Sequence, residues 1–259
     1  MSVLLTLGGT AVQGLLMPLL ALLLAGLEGW FGARLAGGPG APVLRPWRVI
    51  QGGFRRQIVR ADAGSALTAA GPVLMLAITW TAAVLVPVAG SGGDVLAVAG
   101  LLVAARLIGL GADDTVALMA EPALLIALMV RGLPGAGAAA PIGLAAMAIA
   151  ILALAGRGTP PAEASGRDLA VLRMAAALRR LVLLVLLAGQ MGPGTAMGIE
   201  GTFAEVGATA AVVLLLAGGA AVAEAAVAPL RPGRRREVLL GCVVLAVLGL
   251  LVGLLEAGS

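Results

Sequence analysis

Residues Leu27 to Gln57 of this 259-residue chain read LEGWFGARLAGGPGAPVLRPWRVIQGGFRRQ and separate two long apolar segments. The stretch holds five arginines and two tryptophans, and a turn at Gly38-Pro39-Gly40 comes ahead of a basic amphipathic run. Arginines beside apolar segments are typical of the cytoplasmic side of a membrane protein, and tryptophans favour headgroup depth. We therefore predict a cytoplasmic basic amphipathic loop over residues 28–65.

The composition of the whole chain indicates its class of protein. Hydrophobic residues make up 61% of the chain, charged residues 12%, and the mean hydropathy is +1.09, which excludes an ordinary soluble domain. The apolar runs are continuous and do not alternate with polar residues, so they predict helices rather than a barrel. The predicted fold class is all-α, with one polytopic transmembrane domain over residues 1–259. Its first segment lacks signal-peptide features and is expected to be a permanent helix.

Eight apolar runs are candidates for helices that cross a bilayer, which takes about 20 residues. They cover residues 3–27, 66–89, 94–111, 115–131, 136–155, 168–191, 203–228 and 237–255. Arginines concentrate in the loops after the first, fifth and seventh runs, including a short loop at 156–167. The positive-inside rule then places these loops in the cytoplasm and both termini on the other side of a bacterial cytoplasmic membrane.

The residue types argue against several kinds of chemistry. All 17 basic residues are arginine, histidine is absent, and Cys242 is the single cysteine. One thiol in an apolar run cannot hold an iron–sulfur cluster or a structural zinc, and without histidine no ordinary metal or haem site is expected. The arginines flank membrane segments, so lipid is an expected partner and nucleic acid is not. No catalytic, cofactor-binding or metal-binding residue is predicted, and the chain by itself is expected to be non-catalytic.

Six segments, taken in order, resemble one family. They are the loop from Leu27, RRQIVRADAGSALTAAGPVLMLAITWTAAVLVPV from Arg55, GDVLAVAGLLVAARLIGLGADDT from Gly93, AEPALLIALMV from Ala120, SGRDLAVLRMAAALRR from Ser165 and AVAEAAVAPLRPGRRREVLLG from Ala221. Their charged, glycine and proline positions resemble those of subunit 1 of respiratory complex I. They also resemble the membrane anchor subunit of group 4 energy-converting nickel–iron hydrogenases, such as formate hydrogenlyase.

The resemblance implies a membrane subunit that anchors an electron-transfer arm and helps couple its redox reaction to proton or sodium translocation. The implied partners are a hydrogenase-like large subunit, an iron–sulfur small subunit, a ferredoxin-like subunit and antiporter-like membrane subunits. Iron–sulfur clusters, and a nickel–iron centre in a hydrogenase, would belong to those partners. The chain departs from the family in two loops: an insert between the third and fourth helices is missing, and a long acidic loop is reduced to GRGTPPAEASGRD. The departures favour the hydrogenase-like form over a quinone site of the complex I kind.

Charges within the apolar runs are candidates for a proton path, because such charges usually face protein or water and have a partner. We predict that Glu121 and Glu224 are protonatable stations, with Arg106, Asp113 and Asp114 beside Glu121. The resemblance points to the same positions, which correspond to acidic residues of the family's proton-path region. The alternative is that Glu121 is a structural ion-pair partner and that Glu224 extends to the membrane interface.

The first loop is predicted to dock the electron-transfer subunits through Arg34, Arg45 and Arg48, with Trp47 at headgroup depth. The Gly/Pro turn and the spacing of its prolines indicate a specific loop fold rather than a flexible tether. The alternative is that these arginines only fix topology and bind anionic lipid.

Two other functions stay open. One is a stand-alone secondary transporter for small solutes. The sequence shows neither an inverted repeat nor paired broken helices, and this argues against a transporter. The other is a purely structural anchor whose proton path has decayed, an interpretation that the two shortened loops favour.

Overall fold

The computed structural model describes residues 2–56, 66–86, 95–108, 115–132, 139–155, 166–191, 202–227 and 232–258. Within these ranges the chain is helical and contains no strand. The nine helices that they hold are α1 (Ser2–Leu35), α2 (Arg45–Phe54), α3 (Ala66–Leu85), α4 (Val95–Ile108), α5 (Thr115–Gly132), α6 (Ala139–Ala155), α7 (Gly166–Met191), α8 (Thr202–Val227) and α9 (Pro232–Gly258). The predicted all-α class is confirmed for this part of the chain.

Each of the eight predicted apolar runs overlaps one long helix, and the basic amphipathic run forms the short helix α2. Two helices among the described residues are long and apolar enough to cross a membrane, at Ala11–Leu35 and Glu237–Glu256. Shorter apolar helices cover Ala70–Leu85, Ala140–Ile151 and Gly207–Val222. The count of eight spans and the side of the termini therefore stay predictions.

Helix α1 extends past its predicted end at residue 27 and stops at Leu35. Gly37 ends it, with a φ of 77° that L side chains rarely adopt. The amide of Gly37 donates to the Arg34 carbonyl at 3.0 Å and that of Gly38 to the Ala33 carbonyl at 2.9 Å. This pair of bonds is the Schellman pattern of a helix C-terminus. Glu28 and Arg34 are therefore helical residues rather than loop residues.

The helices fall into two compact units. The first contains Met1–Val86, Ala97–Asp113 and Gly158–Val182, and the second contains Pro87–Leu96, Asp114–Arg157 and Leu183–Ser259. In the first unit α1 packs against α2 and α3, and in the second α5, α6 and α9 pack against one another. The core of the second unit is rich in small side chains, including the buried Ala127, Ala146 and Ala246. Small residues let helix backbones approach closely.

Helices α1 and α3 are joined by hydrogen bonds near Pro18, where α1 lacks one of its backbone hydrogen bonds. Pro18 has no amide hydrogen, so the Gly14 carbonyl one turn earlier loses its helical donor. The Trp80 indole nitrogen of α3 donates to that carbonyl at 2.9 Å. Nearby, the Gln13 side-chain amide donates to the carbonyls of Ala83 and Val86 at the end of α3, at 3.0 and 2.9 Å. Side chains of each helix thus bond backbone carbonyls of the other.

Replacing Trp80 with phenylalanine is expected to lower the free energy of unfolding by about 0.6–1.7 kcal/mol, the range for hydrogen bonds between membrane helices. In a Pro18→Ala background the same change should cost less, because the alanine brings a backbone amide that can donate to the Gly14 carbonyl. A double-mutant cycle measured by unfolding in a mild detergent gives the coupling between the two positions. Equal costs in both backgrounds would show that Trp80 does not compensate for Pro18.

Candidate functional site

The side chains predicted to form a proton path lie outside the described part of the molecule. Glu121, Glu224 and Arg106 lie in helices α5, α8 and α4, and their side chains fall outside the described part of the molecule. Asp113 and Asp114 also lie outside the described residues. The path therefore stays a prediction.

The arginines predicted to dock partners lie at the two ends of one short loop. Arg34 is in the last turn of α1 and is exposed, with its guanidinium carbon 5.4 Å from the centroid of the Trp30 ring. Arg45 and Arg48 are in the first turn of α2, are exposed, and line a common groove. Trp47, between them in sequence, has 40% of its surface exposed. The structure therefore brings Arg45 and Arg48 together, whereas Arg34 contacts Trp30.

The loop between α1 and α2 is held against α1 by close backbone contacts. A side chain added at Gly26 would collide with the Val43 carbonyl, and one added at Gly40 would collide with the Trp30 indole. Helix α2 then begins with the Arg45 amide, which donates to the Pro42 carbonyl at 2.8 Å. Pro46 follows at a first-turn position, where a missing amide donor costs nothing. The predicted specific loop fold is thus supported by contacts of its glycines and prolines.

Helix α2 is anchored in the first unit by one apolar side chain. Ile50 is 6% exposed and packs with Leu22 of α1 and Ala170 of α7. Gly53 faces α7 so closely that an added Cβ would lie 2.7 Å from the Cβ of Ala170. The Arg167 guanidinium carbon lies 5.7 Å from the centroid of the Phe54 ring, which adds a cation–π contact. The amphipathic helix α2 therefore packs at a defined position against α1 and α7.

A buried ion pair links α1 to α7 in the first unit. The Arg180 Nε lies 2.9 Å from the Glu28 Oε2, and the two side chains are 18% and 7% exposed. Moving such charges out of water costs several kcal/mol per ion, and the close pairing of the two groups offsets part of that cost. The sequence analysis places Glu28 at the start of the basic loop, after the first apolar run, and does not identify Arg180 as a site residue. The available signal was an arginine well inside an apolar helix, which requires a partner.

Charged groups of the described residues take part in an ion pair and line a groove. Among the described residues no group of three or more histidine, cysteine or acidic side chains could hold a metal ion. What the first unit presents is a basic surface helix, a groove with two arginines, and a carboxylate whose charge is compensated inside the protein.

No family model and no curated protein matches the sequence. The fold is similar to that of a chain in the membrane-bound sulfane sulfur reductase, an archaeal respiratory membrane complex. The TM-score is 0.58 at 14% sequence identity, over 95% of this chain and 99% of that chain. The predicted resemblance to subunits of respiratory membrane complexes is therefore confirmed at the level of the fold.

Proposed function

We propose that this chain is a membrane subunit of a respiratory complex that couples a redox reaction to ion translocation. The observation that carries the proposal is the near end-to-end likeness of fold to a chain of such a membrane complex. The apolar composition and the long apolar helices α1 and α9 fit a membrane subunit. The sequence supplies neither histidine nor a second cysteine for a redox centre, so electron transfer is assigned to partner subunits.

In this proposal the chain crosses a bacterial cytoplasmic membrane eight times, with both termini on the non-cytoplasmic side. It anchors a hydrogenase-like arm made of a large subunit, an iron–sulfur small subunit and a ferredoxin-like subunit, and it contacts antiporter-like membrane subunits. The first loop, which begins beyond Arg34 at the end of α1, faces the arm. The positive charge of this region would complement an acidic surface on a partner and guide its docking.

The proposal is tested by purifying the tagged full-length chain from its native host in a gentle detergent. We expect iron–sulfur and hydrogenase-like subunits to co-purify, as identified by mass spectrometry, together with bound iron. Nickel in the sample would distinguish a hydrogenase from a relative without a nickel–iron centre. An untagged strain treated in parallel controls for adventitious binding. Recovery of a stable, iron-free homo-oligomer would contradict the proposal and favour a stand-alone transporter.

Replacing Glu121 with glutamine is expected to abolish ion translocation by the purified complex and to leave its assembly intact. The amide keeps the size of the side chain but cannot exchange a proton at neutral pH. Translocation is measured in proteoliposomes by a pH-sensitive or sodium-sensitive dye during redox turnover. Glu237→Gln is the matched control, because Glu237 is an exposed residue near the start of α9. Unchanged translocation by the Glu121 variant would remove this residue from the path.

A further inference from the structure

A groove lies between the end of α1 and the start of α2, and we name it the α1–α2 groove. Its volume is about 540 Å³. The residues that line it are Ala33, Pro39, Gly40, Ala41, Pro42, Arg45 and Arg48. The walls are mostly small apolar groups, so the two guanidinium groups are the main polar features. A groove of this size can hold more than a single small ion.

The charge in the α1–α2 groove is entirely positive. Arg45 and Arg48 are three residues apart on one helix, a spacing that places their side chains on the same face. Of the described residues that line the groove, none is acidic. A guanidinium group donates two parallel hydrogen bonds in a geometry that suits phosphate oxygens. Two such groups in one groove therefore favour a ligand with a phosphate.

The surroundings of the groove are apolar and exposed. Leu44 and Trp47 at the start of α2, next in sequence to the two groove arginines, are exposed. Large apolar side chains next to arginines and a tryptophan are typical of a helix that lies in the membrane interface. An acidic protein segment would leave these side chains in water, whereas lipid acyl chains would cover them. The rim therefore favours a lipid over a peptide.

We propose that the α1–α2 groove binds the phosphodiester headgroup of an anionic phospholipid. Arg45 and Arg48 hold the phosphate, and the acyl chains run along the exposed apolar residues Leu44 and Trp47. The lipid then fills the space between the end of α1 and the start of α2. This site goes beyond the proposed function and does not depend on it, because no redox partner takes part.

The site is tested on the delipidated full-length chain by native mass spectrometry with added phosphatidylglycerol or phosphatidylcholine. We expect preferential retention of phosphatidylglycerol by the unmodified chain. In an Arg45→Gln/Arg48→Gln variant the apparent affinity for phosphatidylglycerol should fall by about tenfold or more, since each arginine near an anionic lipid surface contributes on the order of 1 kcal/mol. Arg45→Lys/Arg48→Lys should restore part of the binding, because the charge remains without the guanidinium fork.

An Arg55→Gln/Arg56→Gln variant is the matched control. It removes the same charge from two exposed residues at the other end of α2, outside the groove, and should change phosphatidylglycerol binding by less than about twofold. Equal losses in both variants would indicate diffuse attraction and overturn the site. Displacement of the lipid by excess inorganic phosphate would indicate a soluble anion instead.

Three further outcomes decide the proposal, and the first needs no variant of the groove. No preference for phosphatidylglycerol over phosphatidylcholine by the unmodified chain would overturn it. Loss of protein partners, but not of lipid, from a folded Arg45→Gln/Arg48→Gln chain would assign the groove to protein docking and also overturn it. Lipid preference of a chain that co-purifies with no redox subunits from its native host would support the lipid site while contradicting the proposed function.

Discussion

Replacing Arg180 with methionine is expected to lower the free energy of unfolding by about 3–5 kcal/mol. Arg180 Nε lies 2.9 Å from Glu28 Oε2, and the substitution would leave the carboxylate buried at 7% exposure without this partner. A methionine of similar length cannot replace the charge and the hydrogen bond that the guanidinium gives to this carboxylate, so the desolvation of the buried charge is compensated less well. The measurement is reversible unfolding of the reconstituted chain, for example by steric trapping in bicelles.

The size of the effect is checked against two other variants. Arg173→Met removes an arginine from an exposed position of the same helix and should cost less than about 0.5 kcal/mol. Glu28→Gln combined with Arg180→Met removes both charges and should recover most of the lost stability, because a buried ion pair can often be replaced at little net cost. If Arg180→Met is no more harmful than Arg173→Met, the pair does not stabilise the fold.

Replacing Gly26 with alanine is expected to lower the free energy of unfolding by about 3 kcal/mol, which is the upper end of the usual cost of overpacking. The added methyl group would overlap the Val43 carbonyl, and a backbone atom cannot rotate away as the end of a side chain can. The segment around Val43 would have to move off α1, which should also raise the rate of proteolysis in the loop. Both unfolding and limited proteolysis can be measured on the purified chain.

Gly29→Ala is the control for this substitution. Gly29 lies three residues further along α1, and an added Cβ there would meet nothing within 4 Å. Because alanine is favoured over glycine in a helix by about 1 kcal/mol, Gly29→Ala should be neutral or stabilising. A Gly26→Ala chain as stable as the Gly29→Ala chain, with an equally resistant loop, would contradict the close contact between the loop and α1.

Most helices of the described chain follow from the apolar runs, because a long continuous run has one stable form in a membrane. The end of α1 was predicted too early because Glu28 was interpreted as the membrane boundary. A charge marks a boundary only when water solvates it, and here Arg180 compensates it inside the protein. The residue that ends the helix is Gly37, through its positive φ, and glycines are common along this stretch.

The candidate site was less predictable than the helices. The exposure of Arg45 and Arg48 follows from their charge. The groove could not be predicted from the sequence, because it depends on how Gly26 and Gly40 let the loop approach α1. The partner of Glu28 lies on a helix far along the chain, and only tertiary packing brings the two together. The number of spans is still a prediction, since two helices meet the length and hydropathy that a crossing requires in the described residues.

Cys242 makes this chain convenient for site-specific labelling. It is the sole cysteine of the sequence, it is fully buried, and its thiol donates to the Ala146 carbonyl at 3.1 Å. A thiol reagent in water has no access to it while the second unit is folded. New cysteines on the exposed side of α2 could therefore take spin or fluorescent probes without prior removal of the native thiol. Reaction at Cys242 would in turn report unfolding of α6 and α9.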